Sequence, residues 1–202
     1  TDPSKENDIS IIVLHQVIAG ATVGPSDYMF RYGNDVIPTT MLPEGHAAVL
    51  CGHIHRHQVI RYDLDGRQLP YPIIFAGSTT RTSFAEADET KGYIVAKFDR
   101  SSSPGGVLRS SSFFPLPSRP MVTINLAING KSDSYQVDQL VAKLSQIDEN
   151  SLVRLLIDGC EASQQRGTEI FSAPVLRSIA PETMNISLGI PHQRFRLPKG
   201  HK

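Results

Sequence analysis

Three short apolar segments, each followed at once by a small or polar residue, constrain the fold of this chain more than any other feature. Short β-branched runs of this kind are typical of strands buried on both faces of a parallel sheet. The carboxyl ends of parallel strands meet at one edge of the sheet, where binding sites commonly assemble. We therefore expect the residues that follow these segments to lie close together. The segments are Ile9–Leu14 before His15, Ala47–Cys51 before Gly52 and His53, and Pro72–Ala76 before Gly77 and Ser78.

The sharpest local motif is Gly-His-Ile-His at residues 52–55. In an extended chain, residues i and i+2 point the same way, so His53 and His55 are predicted to present their imidazoles to one or two neighbouring ions. Neutral imidazole suits Mn, Fe and Zn, and the glycine lets backbone and ions approach closely. The alternative is a solvated histidine-rich loop. His57 continues the alternation as a weaker candidate, and His46 is interpreted as a loop histidine.

The length and the proline pattern predict two domains. A chain of 202 residues has room for one ordinary domain or two small ones. Residues 115–120 contain three prolines, and we place the boundary there, giving domains 1–116 and 117–202. In the first domain, strands are also expected at 58–62, 92–98 and 107–114, with a hairpin turn at Asp65-Gly66. Residues 16–45, rich in Gly, Pro and Thr, are predicted to form a long loop.

The second domain is predicted to be a small β-α-β-α-β unit, which makes the whole chain a mixed α/β (α+β) protein. Apolar spacing indicates a helix over 134–147 with Ser134 as its N-cap, and a second helix over 169–179 that Pro174 weakens. Strands are expected at 121–128, 152–157 and 184–188. The segment 192–202 is locally basic, and is interpreted as a solvated tail or as a phosphate contact.

Composition limits the classes of function that we expect. Lys plus Arg and Asp plus Glu number 20 each, so the overall charge gives no reason to expect nucleic-acid binding. Neither cysteine, Cys51 or Cys160, lies in a CxxC pair, and a reduced cytoplasmic compartment is expected. Cys51 lies within a buried segment and is expected to be inert. No apolar run approaches the ~20 residues that a membrane span needs, so no membrane partner is expected.

Two further motifs narrow the interpretation. One is a buried strand ending in His15, followed roughly 35–40 residues later by a buried strand ending in Gly-His-x-His. The other is the run Phe-Ala-Gly-Ser-Thr-Thr-Arg-Thr-Ser-Phe at 75–84, then Glu86 and Lys-Gly-Tyr at 91–93. Together they resemble the C-terminal half of the calcineurin-like metallophosphoesterases, in particular the SbcD-like DNA-repair exonucleases. The resemblance covers residues 9–98 well, and the second domain in outline.

The resemblance implies a fold, a metal site and partners. The fold would be part of the metallophosphoesterase β-sandwich, followed by a small α/β capping domain. His15 and His53 would bind one divalent metal ion and His55 the other, and in this family both ions are typically manganese. The implied partners are DNA and an SbcC-like ATPase subunit, with a homodimer as a further option. The implied activity is metal-dependent hydrolysis of DNA phosphodiester bonds.

Residues around the histidines have two interpretations each. Ser78 and Arg81 would either contact a substrate phosphate or brace their loop. Arg31, between two tyrosines, would either contact nucleic acid or anchor the loop. Glu86 and Lys91 are expected to form a structural ion pair.

The chain also departs from the family pattern. The carboxylates and the Asn-His pair that the family places earlier in its sequence have no counterpart here. Residues 33–35, Gly-Asn-Asp, come after His15 and are interpreted as a turn. We therefore expect a fragment of a longer protein, assign no catalytic residue within it, and expect no nuclease activity from it alone. Two alternatives are a metallophosphoesterase acting on phosphoproteins or nucleotides, and a non-catalytic module that binds DNA or a partner.

Overall fold

The structure is a computed structural model that describes residues 8–100, 105–128, 130–159 and 161–189. Within these residues the chain is a mixed α/β protein, as the sequence predicts. It divides into two compact units, residues 1–118 and 119–202. No helix among the described residues is long and apolar enough to cross a membrane. The strands of the first unit are β1 (Ile11–Leu14), β2 (Val17–Ile18), β3 (Thr22–Val23), β4 (Tyr28–Met29), β5 (Val36–Ile37), β6 (Ala48–Cys51), β7 (Gln58–Tyr62), β8 (Gln68–Phe75), β9 (Gly92–Asp99) and β10 (Val107–Pro115).

The four-stranded sheet of the first unit has the order β1-β6-β8-β7. Strands β1, β6 and β8 are parallel, with Leu14 opposite Cys51 and Cys51 opposite Phe75. The three segments that the sequence predicts as buried strands therefore end in register at one edge of the sheet. β7 pairs with β8 in the antiparallel direction, and the hairpin turn between them contains Gly66 at φ +79°.

The core of the first unit is made by the sheet and by the segment that follows β1. Val49, Ile73 and Phe75 are fully buried, and each such side chain contributes roughly 1.5–3 kcal/mol of burial free energy. Ile18 is equally buried and packs in the same cluster. The prediction that Cys51 is an inert buried residue is consistent with its environment, because burial raises the pKa of its thiol to about 11.

Residues 16–45 are more ordered than the predicted long loop. β2 pairs with β5 in parallel, and β3 pairs with β4 in an antiparallel hairpin. The side-chain amide of Gln58 ties the hairpin to β7 by accepting from the Thr22 N–H at 2.8 Å and donating to the Thr22 carbonyl at 2.9 Å. Strands of two residues have no detectable alternation, which is why the sequence did not predict them. The expected turn at Gly33 is present, with the Val36 N–H donating to its carbonyl.

The hairpin of β9 and β10 forms a separate two-stranded sheet. Its alternating residues divide into two faces, and Tyr93, Val95 and Phe114 are exposed on one of them. Tyr93 and Phe114 lie opposite each other and stack with ring centroids 5.4 Å apart. Both strands were predicted from the sequence, with bounds that differ by one residue at the carboxyl end.

The second unit is a three-stranded parallel sheet with helices in the connections, and its second strand along the chain lies between the first and the third. Two details of the prediction are wrong. The N-cap of the first helix is Ser132, which accepts from the Tyr135 N–H, rather than Ser134. The helix expected over 169–179 begins at Ala173 instead, because Pro174 suits the first turn of a helix, and residues 161–170 form a further helix that the sequence did not predict. The elements are β11 (Met121–Ala127), α1 (Asp133–Leu144), β12 (Leu152–Asp158), α2 (Glu161–Ile170), α3 (Ala173–Ile179) and β13 (Asn185–Leu188).

The core of the second unit joins the sheet to its helices. Leu140 of α1 and Leu155 of β12 are fully buried, and Phe171 fills the break between α2 and α3. Cys160 and the basic segment 192–202 lie outside the described residues.

Candidate metal centre

Two imidazoles meet at the carboxyl edge of the four-stranded sheet. His15 directly follows β1, and Gly52 and His53 directly follow β6. The Gly52 N–H donates to the Leu14 carbonyl at 2.9 Å, which extends the pairing of the two strands by one residue. The rings of His15 and His53 lie edge to face with centroids 5.5 Å apart, and both side chains are exposed. The structure thus brings together two of the three predicted metal ligands.

Gly52 makes room for the ring of His15. A Cβ atom at position 52 would lie 2.6 Å from His15 Nδ1 and 3.2 Å from Cε1. A heavy-atom contact of this length is far inside van der Waals distance, so any side chain at this position would displace the imidazole. The glycine of the Gly-His-x-His motif is therefore needed for the neighbouring histidine and not for a left-handed turn.

His53 has a backbone conformation that the sequence did not predict. Its φ is +71°, and the Ile54 N–H donates to the Gly52 carbonyl at 2.9 Å, which makes His53 the central residue of a γ-turn. The expected extended geometry of residues 53–55 is therefore wrong at its first residue. A non-glycine residue held at positive φ stores roughly 1–3 kcal/mol of strain, and such strain is concentrated at functional sites.

The strain at His53 predicts an inverted order of stability between two substitutions. At an ordinary position in a helix or strand, a glycine variant is less stable than the alanine variant by roughly 0.5–1 kcal/mol. At position 53 we expect His53→Gly to be more stable than His53→Ala by about 1 kcal/mol, because only alanine keeps the strain. Urea unfolding followed by circular dichroism measures the difference. His15 is the matched control, since its φ is not left-handed and its Gly variant should be the less stable one. The same order at both positions would contradict the strained turn.

His55 is held by a carboxylate from a distant loop. Its Nδ1 lies 3.0 Å from Glu86 Oε1, and the hydroxyl of Thr82 lies 3.2 Å from the same nitrogen. The Thr82 hydroxyl also donates to Glu86 Oε1 at 2.9 Å. The His55 side chain is 46% exposed, whereas that of Glu86 is only 14% exposed. The ring is thus fixed at one nitrogen and open to solvent elsewhere.

Lys91 is the buried centre of this network. The residue is 1% exposed, and its three ammonium protons have three acceptors: Glu86 Oε2 at 2.9 Å, Glu89 Oε2 at 2.8 Å and the His55 carbonyl at 2.9 Å. The expected pairing of Glu86 with Lys91 is confirmed. Burial alone would raise the pKa of Glu86, but hydrogen bonds donated by Lys91, Thr82 and His55 outweigh it and lower the pKa to about 2. Glu86 is therefore ionised at neutral pH.

Arg56 adds a second cation to the network, and the sequence did not indicate it. Its Nε donates to Glu89 Oε1 at 3.0 Å, and its other nitrogens reach Asp27 and the Gly24 carbonyl. Arg56 thereby ties the histidine motif to the loop that carries the β3–β4 hairpin. Its position directly after the motif was the available signal, but charge alone does not say that it will pair with an acid 33 residues away.

The three predicted substrate contacts have different surroundings. The Ser78 hydroxyl donates to the Thr80 carbonyl at 2.8 Å, and the backbone N–H of Ser78 donates to the His55 carbonyl at 3.1 Å. Arg81 Nε donates to the Glu89 carbonyl at 3.0 Å. Both residues thus brace the loop that holds His55. Arg31 is exposed in the segment between β4 and β5, and the hydrogen bonds around His55 do not include it.

The other two histidines of the first unit have structural partners. His57 stacks on Phe113 with ring centroids 4.4 Å apart, and its Nδ1 lies 3.0 Å from the Phe75 carbonyl. His46 Nδ1 lies 2.8 Å from the Ser10 hydroxyl. The rings of both histidines pack within the unit, and His46 lies in a loop, as expected.

The donor set fits part of a metal site. Imidazole is a good ligand for Mn, Fe and Zn, and a carboxylate on the far nitrogen of a ligating histidine is a common supporting arrangement. Glu86 stands in that position at His55. Among the residues that the structure describes, however, no group of three His, Cys, Asp or Glu side chains converges closely enough to hold a metal ion.

No protein-family model matches the chain, and no curated protein matches it at a significant level. The function proposed below is therefore supported by the geometry of these residues and by the resemblance of their motifs.

Proposed function

We propose that this chain carries the histidine half of the metal site of a calcineurin-like phosphodiesterase that acts on DNA, in the manner of the SbcD-like repair exonucleases. The observation that supports this best is the meeting of His15 and His53 at the ends of adjacent parallel strands, with a glycine whose missing Cβ admits the ring. A solvated histidine loop has no need of that glycine or of the strained turn at His53.

In this proposal the three histidines divide between two divalent cations, with manganese as the expected ion. His15 and His53 hold one ion, and His55 reaches the other through its exposed edge. Two such ions supply a bound nucleophilic water and neutralise charge on a phosphodiester. The chain's own residues position the imidazoles. Gly52 leaves room for the His15 ring, and the Glu86 carboxylate accepts a hydrogen bond from His55.

The ligating carboxylates and the catalytic acid would come from residues outside this chain. We propose that the chain is part of a longer cytoplasmic nuclease that works on DNA with an SbcC-like ATPase subunit, and that it pairs with a second copy. Ser78, Arg81 and Arg31 are the proposed phosphate contacts. The resemblance in the run 75–93 favours DNA over a phosphoprotein or a nucleotide as the substrate.

A nuclease assay tests the proposal on the parent protein and on this chain. The parent protein should degrade linear duplex DNA with Mn²⁺ much faster than it hydrolyses bis(p-nitrophenyl) phosphate, and His53→Gln should abolish the DNA reaction. The 202-residue chain alone should be inactive on both substrates. Robust Mn²⁺-dependent turnover by this chain alone would contradict the division of the metal site.

The same assay separates the alternatives. A parent protein that prefers the generic phosphodiester is a metallophosphoesterase of another specificity. A parent protein inactive on both substrates, whose DNA binding survives His53→Gln, is a non-catalytic module. The absence of ligating carboxylates from the described residues is the observation that favours this second candidate.

A further inference from the structure

The Glu86 carboxylate has four donors arranged in two pairs. Its Oε1 faces His55 Nδ1 at 3.0 Å and the Thr82 hydroxyl at 2.9 Å. Its Oε2 faces the Lys91 ammonium at 2.9 Å and the Thr82 N–H at 3.1 Å. The two oxygens therefore have different kinds of neighbour. A hydroxyl and an imidazole nitrogen can each donate or accept, whereas an ammonium and a backbone N–H can only donate.

An ionised carboxylate can only accept hydrogen bonds, so it determines where the proton of a neutral imidazole lies. Nδ1 of His55 must carry the proton to bond Glu86. The Thr82 hydroxyl gives its proton to Glu86 and presents a lone pair to the same Nδ1. Every hydrogen-bond partner near Nδ1 is then an acceptor, and the lone pair of the neutral ring is left on Nε2.

We propose that Glu86 is a positioning residue that fixes His55 as its Nδ1–H tautomer, with the Nε2 lone pair free to bind a metal ion. The ligand role of His55 rests on the function proposed above, but the tautomer does not. A neutral imidazole in water favours the opposite form, with the proton on Nε2. The network therefore reverses the intrinsic preference of the ring, and it does so before any ion binds.

The surrounding charges keep Glu86 in this role. Lys91 donates to Glu86, to Glu89 and to the backbone carbonyl of His55, which fixes the carboxylate relative to the histidine it holds. Arg56 holds Glu89 from the other side. A solvated ion pair would be mobile. Here the side chains of Arg56, Glu86 and Glu89 are 22%, 14% and 14% exposed, and that of Lys91 is fully buried. The carboxylate thus has one orientation in which all its partners are satisfied.

The same geometry predicts that Glu86→Gln reverses the tautomer instead of merely weakening a bond. The amide oxygen must face Lys91 and the Thr82 N–H, because both can only donate. The amide NH₂ is then turned toward His55 Nδ1, which must accept. The proton moves to Nε2, and the lone pair that would bind a metal ion is lost. A structural ion pair without this role predicts no such reversal.

Long-range proton–nitrogen correlation spectra of the ¹⁵N-histidine-labelled chain test the proposal, recorded without metal and above the titration range of imidazole. The signals are assigned with His55→Gln. We expect His55 in the Nδ1–H form in the native chain and in the Nε2–H form in Glu86→Gln, with the other histidine rings unchanged. Asp88→Asn, an exposed acid in the same loop, is the matched control and should leave His55 as it is.

Thr82→Val provides a second variant that keeps Glu86 in place. It removes the hydroxyl but leaves the carboxylate contact, so His55 should stay in the Nδ1–H form. The proposal is overturned if native His55 is found in the Nε2–H form, or if Thr82→Val changes the tautomer while Glu86→Gln does not. Unchanged circular dichroism of both variants shows that the unit is folded.

A titration with Mn²⁺ alone separates failure of this inference from failure of the proposed function. Paramagnetic broadening of the His55 ring should require about tenfold more Mn²⁺ in Glu86→Gln than in the native chain, the size expected for loss of a group that supports a metal ligand. A native chain with the Nδ1–H form but no broadening would support the tautomer and contradict the metal site. A native chain with broadening but the Nε2–H form would support the metal site and contradict the role of Glu86.

Discussion

Replacing Lys91 with methionine should destabilise the first unit by about 3–5 kcal/mol, the usual cost of removing one partner from a buried ion pair. The side chain is fully buried and neutralises Glu86 and Glu89, which are each 14% exposed. Methionine matches the length of the aliphatic stem but leaves Glu86 without its cation and Glu89 with Arg56 alone. It also removes one of the two donors to the His55 carbonyl, leaving the Ser78 N–H.

Native-state hydrogen exchange at the amides of β6 and β8 measures this loss for the first unit separately from the second. Lys97→Met on β9, the strand that directly follows Lys91, is the matched control, because Lys97 is exposed and its loss should change stability by less than about 0.5 kcal/mol. Adding Glu86→Gln and Glu89→Gln to Lys91→Met should recover part of the stability, since no unpaired charge is then left. A loss below about 1 kcal/mol for Lys91→Met would mean that the buried network is not formed.

Replacing Gly52 with alanine should weaken metal binding by about 100-fold or more while leaving the fold intact, because it displaces one of the proposed ligands. The new Cβ would lie 2.6 Å from His15 Nδ1, so the ring must leave its present position beside His53. The φ of Gly52 is not left-handed, and the displaced ring is exposed. The backbone therefore accepts alanine, and we expect a stability change of less than about 1 kcal/mol.

Calorimetric titration with Zn²⁺, which imidazole binds more tightly than Mn²⁺, provides the affinity of the native chain and of Gly52→Ala. Val13→Ala is the control, because Val13 lies two residues before His15 on β1 and is 75% exposed. It should leave the affinity unchanged. Equal Zn²⁺ affinity of the native chain and Gly52→Ala would mean that His15 and His53 do not share an ion. A large loss of stability would instead mean that position 52 constrains the backbone.

Much of the fold follows from local patterns. The apolar runs before His15, Gly52 and Gly77 indicated three buried strands, and the structure has strands there as β1, β6 and β8. The predicted burial is wrong for β1, which ends the strand order β1-β6-β8-β7 and leaves Val13 75% exposed. The bounds of β7, β9 and β10 were also predicted to within one residue, because alternation and turn residues act over a few positions. Local signals failed where an element was too short to show a period, as in β2 to β5. They also missed α2 and placed the start of α3 too early.

Within the site, the sequence by itself determined which residues follow the strands, and hence that His15 and His53 lie at the same sheet edge. Only the tertiary structure decided how they are held. The His15 ring lies against Gly52, His53 forms a γ-turn, and Glu86 bonds His55 from 31 residues away. These features depend on strand register and on packing between distant segments. A local pattern reports the period of an element, whereas these contacts depend on how separate elements are placed in space.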